Sequence, residues 1–343
     1  MTPPPPPAAR RRVLRATAAG LAAGALPAFA ARAALPLSPA TLLVPGPDDG
    51  AHERWSARLA AFLSRGATAA AMAVARVERK VLGGPDGVTA ANRFSALVEP
   101  DGRTSLVLSG GAAQARLVGD PRARFDAAGW LPVCAAEGLA VVAGRVPLPA
   151  ASGGGVVRVA VWGAGSPAAT ALCGLGMMGL HAVPVTGLAP LQAEAALMEG
   201  SVDVVLLHGP DVPARLSALD AQPWFTLDAA GARDAALPDV PCMSELASGP
   251  TVLRAAVQAA AAAARLHAAL VLPALTPAER VASWRAAVAR WSEEEARVAA
   301  AAGMRVLTGA EAAPLLSAAL APPTEAALAY RDWLQQRFNW RAS

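Results

Sequence analysis

The chain has 343 residues, a formal net charge of +4 at pH 7, and a composition that is 54% hydrophobic but only 4% aromatic and 16% charged. That length allows about two domains with sizeable cores, and a basic balance would suit an acidic partner if the charge were spread over the fold. It is not spread: Arg10, Arg11, Arg12 and Arg15 precede any acid, and removing them takes the net charge from +4 to 0, so no nucleic-acid partner is expected.

A mostly apolar, uncharged stretch, Ala16 to Ala30, follows those arginines, with small-residue sites at Ala28-Phe29-Ala30 and Ala31-Arg32-Ala33. A basic start, a short apolar middle and an A-x-A site describe a secretory signal. At about 15 residues the middle is too short to span a bilayer. Arg10-Arg11-Arg12-Val13-Leu14-Arg15 also fits the twin-arginine pattern. Residues 1–33 are therefore expected to be a twin-arginine-like signal peptide, cleaved near Ala30 or Ala33, which would make the mature protein periplasmic. A disordered basic tail is the alternative.

Beyond the leader, Thr41 to Val44 reads as a short strand, Pro45 to Gly50 as a loop and His52 to Ser64 as a helix. Pro85-Asp86-Gly87 and Pro100-Asp101-Gly102 are turn sequences. Ser105 to Leu108 is a strand running into the loop Ser109-Gly110-Gly111, and a Pro/Ala/Ser/Gly stretch at Ala150 to Gly155 marks a boundary. Val159 to Ala193 contains no charged residue, yet glycines and prolines interrupt it too often for a membrane span. It reads as a strand (Val156 to Trp162), a turn, a short helix and a second strand (Ala182 to Val185): one βαβ unit of a buried parallel sheet. Val202 to Leu207 continues as a strand and Asp211 to Leu219 as a helix. Three helical stretches close the chain: Thr251 to Ala269, Pro277 to Gly303, and Glu311 to Asn339 with a break at Pro322-Pro323. Alternating strands and helices predict an α/β fold.

Candidate chemistry is sparse. Cys134, Cys173 and Cys242 form no C-x-x-C pair and read as buried small hydrophobes, with one disulfide as the alternative. His52, His181, His208 and His267 lack metal-ligand spacing, and no metal is expected. No nucleophile elbow or triad stands out, and no enzyme activity is expected. Gly163-Ala164-Gly165-Ser166-Pro167-Ala168 follows a strand and opens a helix, the setting of a dinucleotide fingerprint. The next strand ends Val183-Pro184-Val185-Thr186-Gly187, without the acid that would hold a ribose, so no cofactor is expected. What remains is an anion-favouring turn at a helix start. Asp48-Asp49 reads as solvated turn acids or as a metal or acid/base pair, and Glu293-Glu294-Glu295 as an exposed helix face. Trp162 is core or a cleft wall.

Several segments look familiar together. Leu42-Leu43-Val44-Pro45-Gly46-Pro47-Asp48-Asp49-Gly50, Thr89-Ala90-Ala91-Asn92, Phe125-Asp126 with Trp130-Leu131-Pro132-Val133, and Leu197-Met198-Glu199-Gly200-Ser201-Val202-Asp203 follow one another in order. So do Ala236-Leu237-Pro238-Asp239-Val240-Pro241 and Leu272-Pro273-Ala274-Leu275-Thr276-Pro277. In this order they resemble the Bug family, the extracytoplasmic solute-binding receptors of tripartite tricarboxylate transporters. The resemblance implies a two-lobed, Venus-flytrap α/β fold of type II, with a discontinuous first lobe made of residues 34–144 and 263–343 around a second lobe of residues 145–262. It also implies a small organic acid or amino-acid-like ligand held largely by backbone N–H groups. Carried over by position, Gly46, Asp48, Asp49, Gly50, Ser109, Gly110, Gly111, Trp162, Gly163, Ala164, Gly165, Ser166 and Asp203 would line the site. A monomer is implied, delivering its ligand to membrane permease subunits or to a sensor.

The chain departs from the family pattern at Asp49-Gly50, preceded by Asp48, where Gly-Gly is usual, and at Val185-Thr186, where Tyr-Lys is usual. Carboxylates beside a carboxylate ligand repel it, so a ligand less anionic than citrate is expected. A degenerate relative that no longer binds, and an exported cofactor enzyme, are the other readings. The Ala-rich stretch from Gly249 to Leu272 also looks longer than the family's, by about one helix.

Overall fold

The computed structural model describes residues 39–47, 49–65, 77–148 and 154–341. The expected signal peptide, 1–33, and Asp48 lie outside the described residues.

Two sets of strands share one long member. In the first set β1 (Ala40–Pro45) pairs in parallel with β2 (Val77–Leu82) and β3 (Thr104–Ser109), and β3 pairs antiparallel with β9 (Leu266–Leu272). In the second, β5 (Val157–Val161) pairs in parallel with β6 (Ala182–Thr186) and β7 (Val204–Gly209). Joining them is β4 (Leu131–Gly144), 14 residues that reach about 45 Å at strand rise. Its first half pairs with β9 and with β10 (Met304–Thr308), and its second half with β7 and with β8 (Gln222–Thr226). The order β2-β1-β3-β9-β4-β7-β5-β6 is thus one curled sheet with two lobes. β1, β3, β5 and β7 are largely buried and apolar, as the uncharged sequence runs predict for strands covered on both faces.

The helices cover both faces: α1 (Ala51–Arg65), α2 (Val88–Leu97), α3 (Gly110–Val118), α4 (Ala168–Met177), α5 (Pro190–Glu199), α6 (Val212–Ala218), α7 (Met243–Leu246), α8 (Thr251–Arg265), α9 (Ala278–Ala301), α10 (Ala312–Leu320) and α11 (Thr324–Phe338). The expected βαβ unit is present as β5-α4-β6, and Pro322-Pro323 separates α10 from α11.

Three expectations need correction. The stretch 251–269 is not one helix: α8 ends at Arg265 and the chain enters β9 without a loop. Alanine favours helix in isolation, but Leu266–Leu272 gains two antiparallel partners, β3 and β4, and tertiary pairing overrides propensity. Ser109-Gly110-Gly111 is not a loop either. Ser109 caps α3 through its hydroxyl, which accepts from the Ala112 N–H at 3.1 Å, and Gly110 is the first helical residue. A Cβ at Gly110 would stand 2.1 Å from the Ala263 carbonyl oxygen, so glycine lets α3 start against the α8–β9 junction. Finally, Glu295 is 3% exposed and paired with Arg58 of α1 at 2.5 Å, so the acid run does not form a wholly exposed face. The cysteines behave as expected: all three are free and buried, and burial pushes the Cys134 and Cys173 thiols up to about 12.

Fully buried aromatics, Trp55, Trp284, Trp291 and Tyr330 among them, anchor the helices. Trp55 of α1 meets Trp291 of α9 edge to face at 5.2 Å between ring centroids. A charged cluster sits near the middle of β4, where its partners change from β9 and β10 to β7 and β8. Glu137 of β4, 6% exposed, pairs with the buried Arg265 at the end of α8 and, at 2.5 Å, with Arg305 of β10. Truncating Glu137 leaves Arg265 buried without its partner. Glu137→Ala is expected to destabilise the protein by about 3 kcal/mol, seen as a lowered midpoint in thermal or urea unfolding. An unchanged midpoint would show that the cluster contributes nothing.

Candidate functional site

A cleft of about 690 Å³, formed by described residues, lies where the two halves of the sheet meet. Strand direction brings its walls together. β3 ends at Ser109, and antiparallel pairing sets Ser109 opposite Ala268, near the start of β9. Leu139 at the middle of β4 lies opposite Gly209, the end of β7. β5 runs parallel to β7, so Trp162, just past its end, comes to the same side. Ligands in α/β proteins sit beyond the carboxyl ends of parallel strands, where loops and helix starts converge.

Of the residues expected at a site, Ser109, Gly110, Gly111, Trp162, Gly163, Ala164, Gly165 and Ser166 line this cleft together. Trp162 is 61% exposed and forms a wall, not core. The Gly163 turn closes with Ser166 N–H donating to the Gly163 carbonyl at 3.0 Å, and α4 follows. A Cβ on Gly163 would meet nothing within 4 Å, and one on Gly165 only Val118 Cγ2 at 3.9 Å, so the backbone faces open space there.

The remaining expected residues lie elsewhere. Gly46, Asp49 and Gly50 are not among the cleft-lining residues. Gly46 packs against the β2–α2 connection, where a Cβ would lie 2.2 Å from the Gly83 carbonyl oxygen, and Asp49 is exposed. Asp203 precedes β7 and so sits at the end away from the cleft. Its carboxylate accepts from the Arg158 backbone N–H at 2.8 Å and from the guanidinium at 2.7 and 3.0 Å. Those side-chain hydrogen bonds hold the Asp203 carboxyl below its ordinary value. Parallel pairing explains the placement: the Leu-x-x-Gly-x-Val-Asp stretch leads into a strand, and only that strand's far end, His208-Gly209, reaches the cleft.

Several lining residues carried no signal as single positions. Three of the four histidines meet the cleft from separate elements: His52 on α1, His208 on β7 and His267 on β9. The rings of His52 and His267 stack at 5.5 Å, and His52 Nε2 lies 3.0 Å from the His267 carbonyl oxygen. Burial lowers all three below the usual histidine range, His208 and His267 to about 4, so they are neutral at pH 7. Among the described residues no group of three His, Cys, Asp or Glu side chains is placed to hold a metal ion.

Arg122 is the cleft's one lysine or arginine among the described residues, and it pairs with two lining acids, Asp120 at 2.7 Å and Asp86 at 2.9 Å. The Arg122 side chain holds the Asp120 carboxyl below its ordinary value. Gln114, on the second turn of α3, is 1% exposed; its amide oxygen and nitrogen make no hydrogen bond, though the Tyr330 hydroxyl is adjacent. The Ser166 hydroxyl is likewise buried without a partner. Trp340 reaches the cleft from beyond α11, held by its indole N–H donating to the Val118 carbonyl at 2.9 Å. The site therefore consists of backbone at two helix starts, two unpartnered polar side chains, neutral imidazoles and aromatic walls.

No family model matches the chain, and no curated protein matches its sequence. Among solved structures, a TctC solute-binding protein from Polaromonas is similar with a TM-score of 0.65 at 17% identity, over 88% of this chain and 99% of that one. MatC from Rhodopseudomonas palustris, solved with bound malate, has a TM-score of 0.52 at 21% identity over 87% and 99%. The R. palustris protein Rpa4515, solved with adipate, has a TM-score of 0.55 at 20% identity over 89% and 98%. These neighbours are binding proteins, and no helix among the described residues is long and apolar enough to cross a membrane. The chain has the two-lobed α/β fold of the TctC-type solute-binding proteins.

Proposed function

We propose that the protein is an extracytoplasmic solute-binding protein that captures a small carboxylate-containing metabolite between its lobes. The observation that carries this reading is a cleft of about 690 Å³ lined by the start of α3 and by the turn before α4, where the backbone at Gly163 and Gly165 faces open space. The first N–H groups of a helix have no partner within it and, with the helix dipole, favour an anion. No lining side chain is arranged as a nucleophile with its base, so binding without turnover fits the site better than catalysis. The solved neighbours that hold malate and adipate support the ligand class.

On this reading residues 1–33 direct export and are removed near Ala30 or Ala33. The protein then works as a periplasmic monomer that hands its ligand to permease subunits of a tripartite tricarboxylate-type transporter, or to a sensor. Residues 34–144 and 263–343 form one lobe and 145–262 the other, with Glu137 near the crossing. Asp203 is a structural partner of Arg158 on this reading, and Gly163 to Ser166 contact the ligand.

A thermal-shift and calorimetric panel of mono-, di- and tricarboxylates is expected to find at least one that stabilises the purified protein. Silence across all three classes would overturn the reading. Gly165→Leu would fill the gap facing Val118 and is expected to weaken binding of that ligand at least about ten-fold, or about 1.4 kcal/mol; unchanged affinity would remove the turn from the site.

Because backbone N–H groups do not titrate and His208 and His267 ionise only near about 4, affinity is expected to be flat between about pH 6.5 and 8. A steep gain in affinity toward pH 6.5 would point instead to a histidinium holding the anion. Stability behaves differently. Unfolded histidines bind protons near 6.5 and these folded ones only near 4, so the contribution present at pH 7 is lost as pH falls through that window.

A further inference from the structure

Resting on that reading, we infer that the cleft selects a carboxylate with a single negative charge on an apolar body over di- and tricarboxylates. Gln114 contacts the carboxylate, and Trp340 forms part of the wall around the body.

Charge is the first reason. Arg122 is committed to Asp120 and Asp86, so one cation faces two carboxylates and the lining carries no spare positive charge among the described residues. The three histidines add none at pH 7. A second ligand carboxylate would be desolvated without a counter-charge, near acids of its own sign. This holds without Asp48 or Asp49.

Unmet hydrogen bonding is the second. Buried polar groups in native proteins nearly always have partners, yet the amide of Gln114, with the Tyr330 hydroxyl beside it, and the hydroxyl of Ser166 make no well-formed hydrogen bond, and both line the cleft. Gln114 projects from α3, whose Ala112 N–H is already capped by the Ser109 hydroxyl, and Ser166 belongs to the turn before α4. The cleft thus offers a ligand carboxylate the Gln114 amide nitrogen, the Ser166 hydroxyl and the turn backbone as donors. An amide donor holds one anionic group without demanding the full charge that a lysine or arginine would add.

The remaining walls are apolar. Trp162, Trp340, Pro85, Val118, Ala164 and Pro190 surround the cleft. Trp340 is fixed through its bond to Val118, on the helix that also carries Gln114. Large aromatic surfaces reward a flat or chain-like apolar body and offer nothing to a second charged head.

Matched pairs test this directly: hexanoate against adipate, and benzoate against terephthalate, titrated into the purified protein by calorimetry. The monocarboxylate of at least one pair is expected to bind about ten-fold or more tightly than its dicarboxylate. Dicarboxylates binding as well as or better than their partners in both pairs would overturn the inference and leave the carboxylate-receptor reading standing. No binding by any carboxylate would overturn both. Phenylalanine binding more tightly than benzoate would also overturn the inference, assigning Asp86 and Asp120 to an ammonium group instead. Gln114→Glu, nearly isosteric, is expected to lose monocarboxylate affinity at least about ten-fold through like charge, with circular dichroism and thermal midpoint confirming the fold. Gln114→Leu should lose affinity without the charge, and retained affinity in both variants would remove Gln114 from the site. Trp340→Phe should preserve and Trp340→Ala weaken benzoate binding; equal affinities would take Trp340 out of the wall.

Discussion

Strand β4 pairs in both halves of the sheet, and the strand ends that border the cleft are brought together through it. Pairing with β9 and β10 fixes its first half, and pairing with β7 and β8 its second. The crossing carries a buried carboxylate, Glu137, clasped by Arg265 and Arg305. A buried ion pair is weak evidence for stability, since desolvation offsets its attraction. Its value here is geometric: Arg265 is the last residue of α8 and the next residue begins β9, so the pair ties a helix, two strands and the crossing point together. The cleft lies beside this knot.

From that constraint follows the composition of the site. Helix starts and strand ends deliver backbone N–H groups, which carry partial charge without titrating and lose no side-chain entropy on binding. Charged side chains near the cleft are already paired, Arg122 with two acids, and farther off Asp203 with Arg158. Burial keeps the imidazoles neutral. The cleft is thus polar by dipole and nearly neutral by charge, which favours a modest anion with an apolar remainder.

Much of the scaffold was legible because its signals are local. Uncharged strands, the Gly163 turn and the Pro322-Pro323 break are each a matter of a few neighbouring residues, and each appears as expected. β9 was not legible, because an alanine-rich stretch has no strand signal until β3 and β4 flank it. The site divides the same way. Glycines and Ser166 after β5 announce a turn that faces open space, whereas Gln114, His52, His208, His267 and Trp340 are unremarkable alone and meaningful only together. Asp203 shows the converse: the recognisable stretch that ends in it leads into β7, and strand direction places it at the end away from the cleft, paired with Arg158.

By itself, the sequence determined the α/β class, the location of the basic charge in the first fifteen residues, and the turns where backbone is left open. These depend on periodicity, glycine and proline, which act over one or two turns of chain. Tertiary structure alone decided which strand ends meet, which acids neutralise Arg122, and which buried amide is left without a partner. Most of those outcomes depend on how segments distant in the chain pair, and no local pattern encodes it.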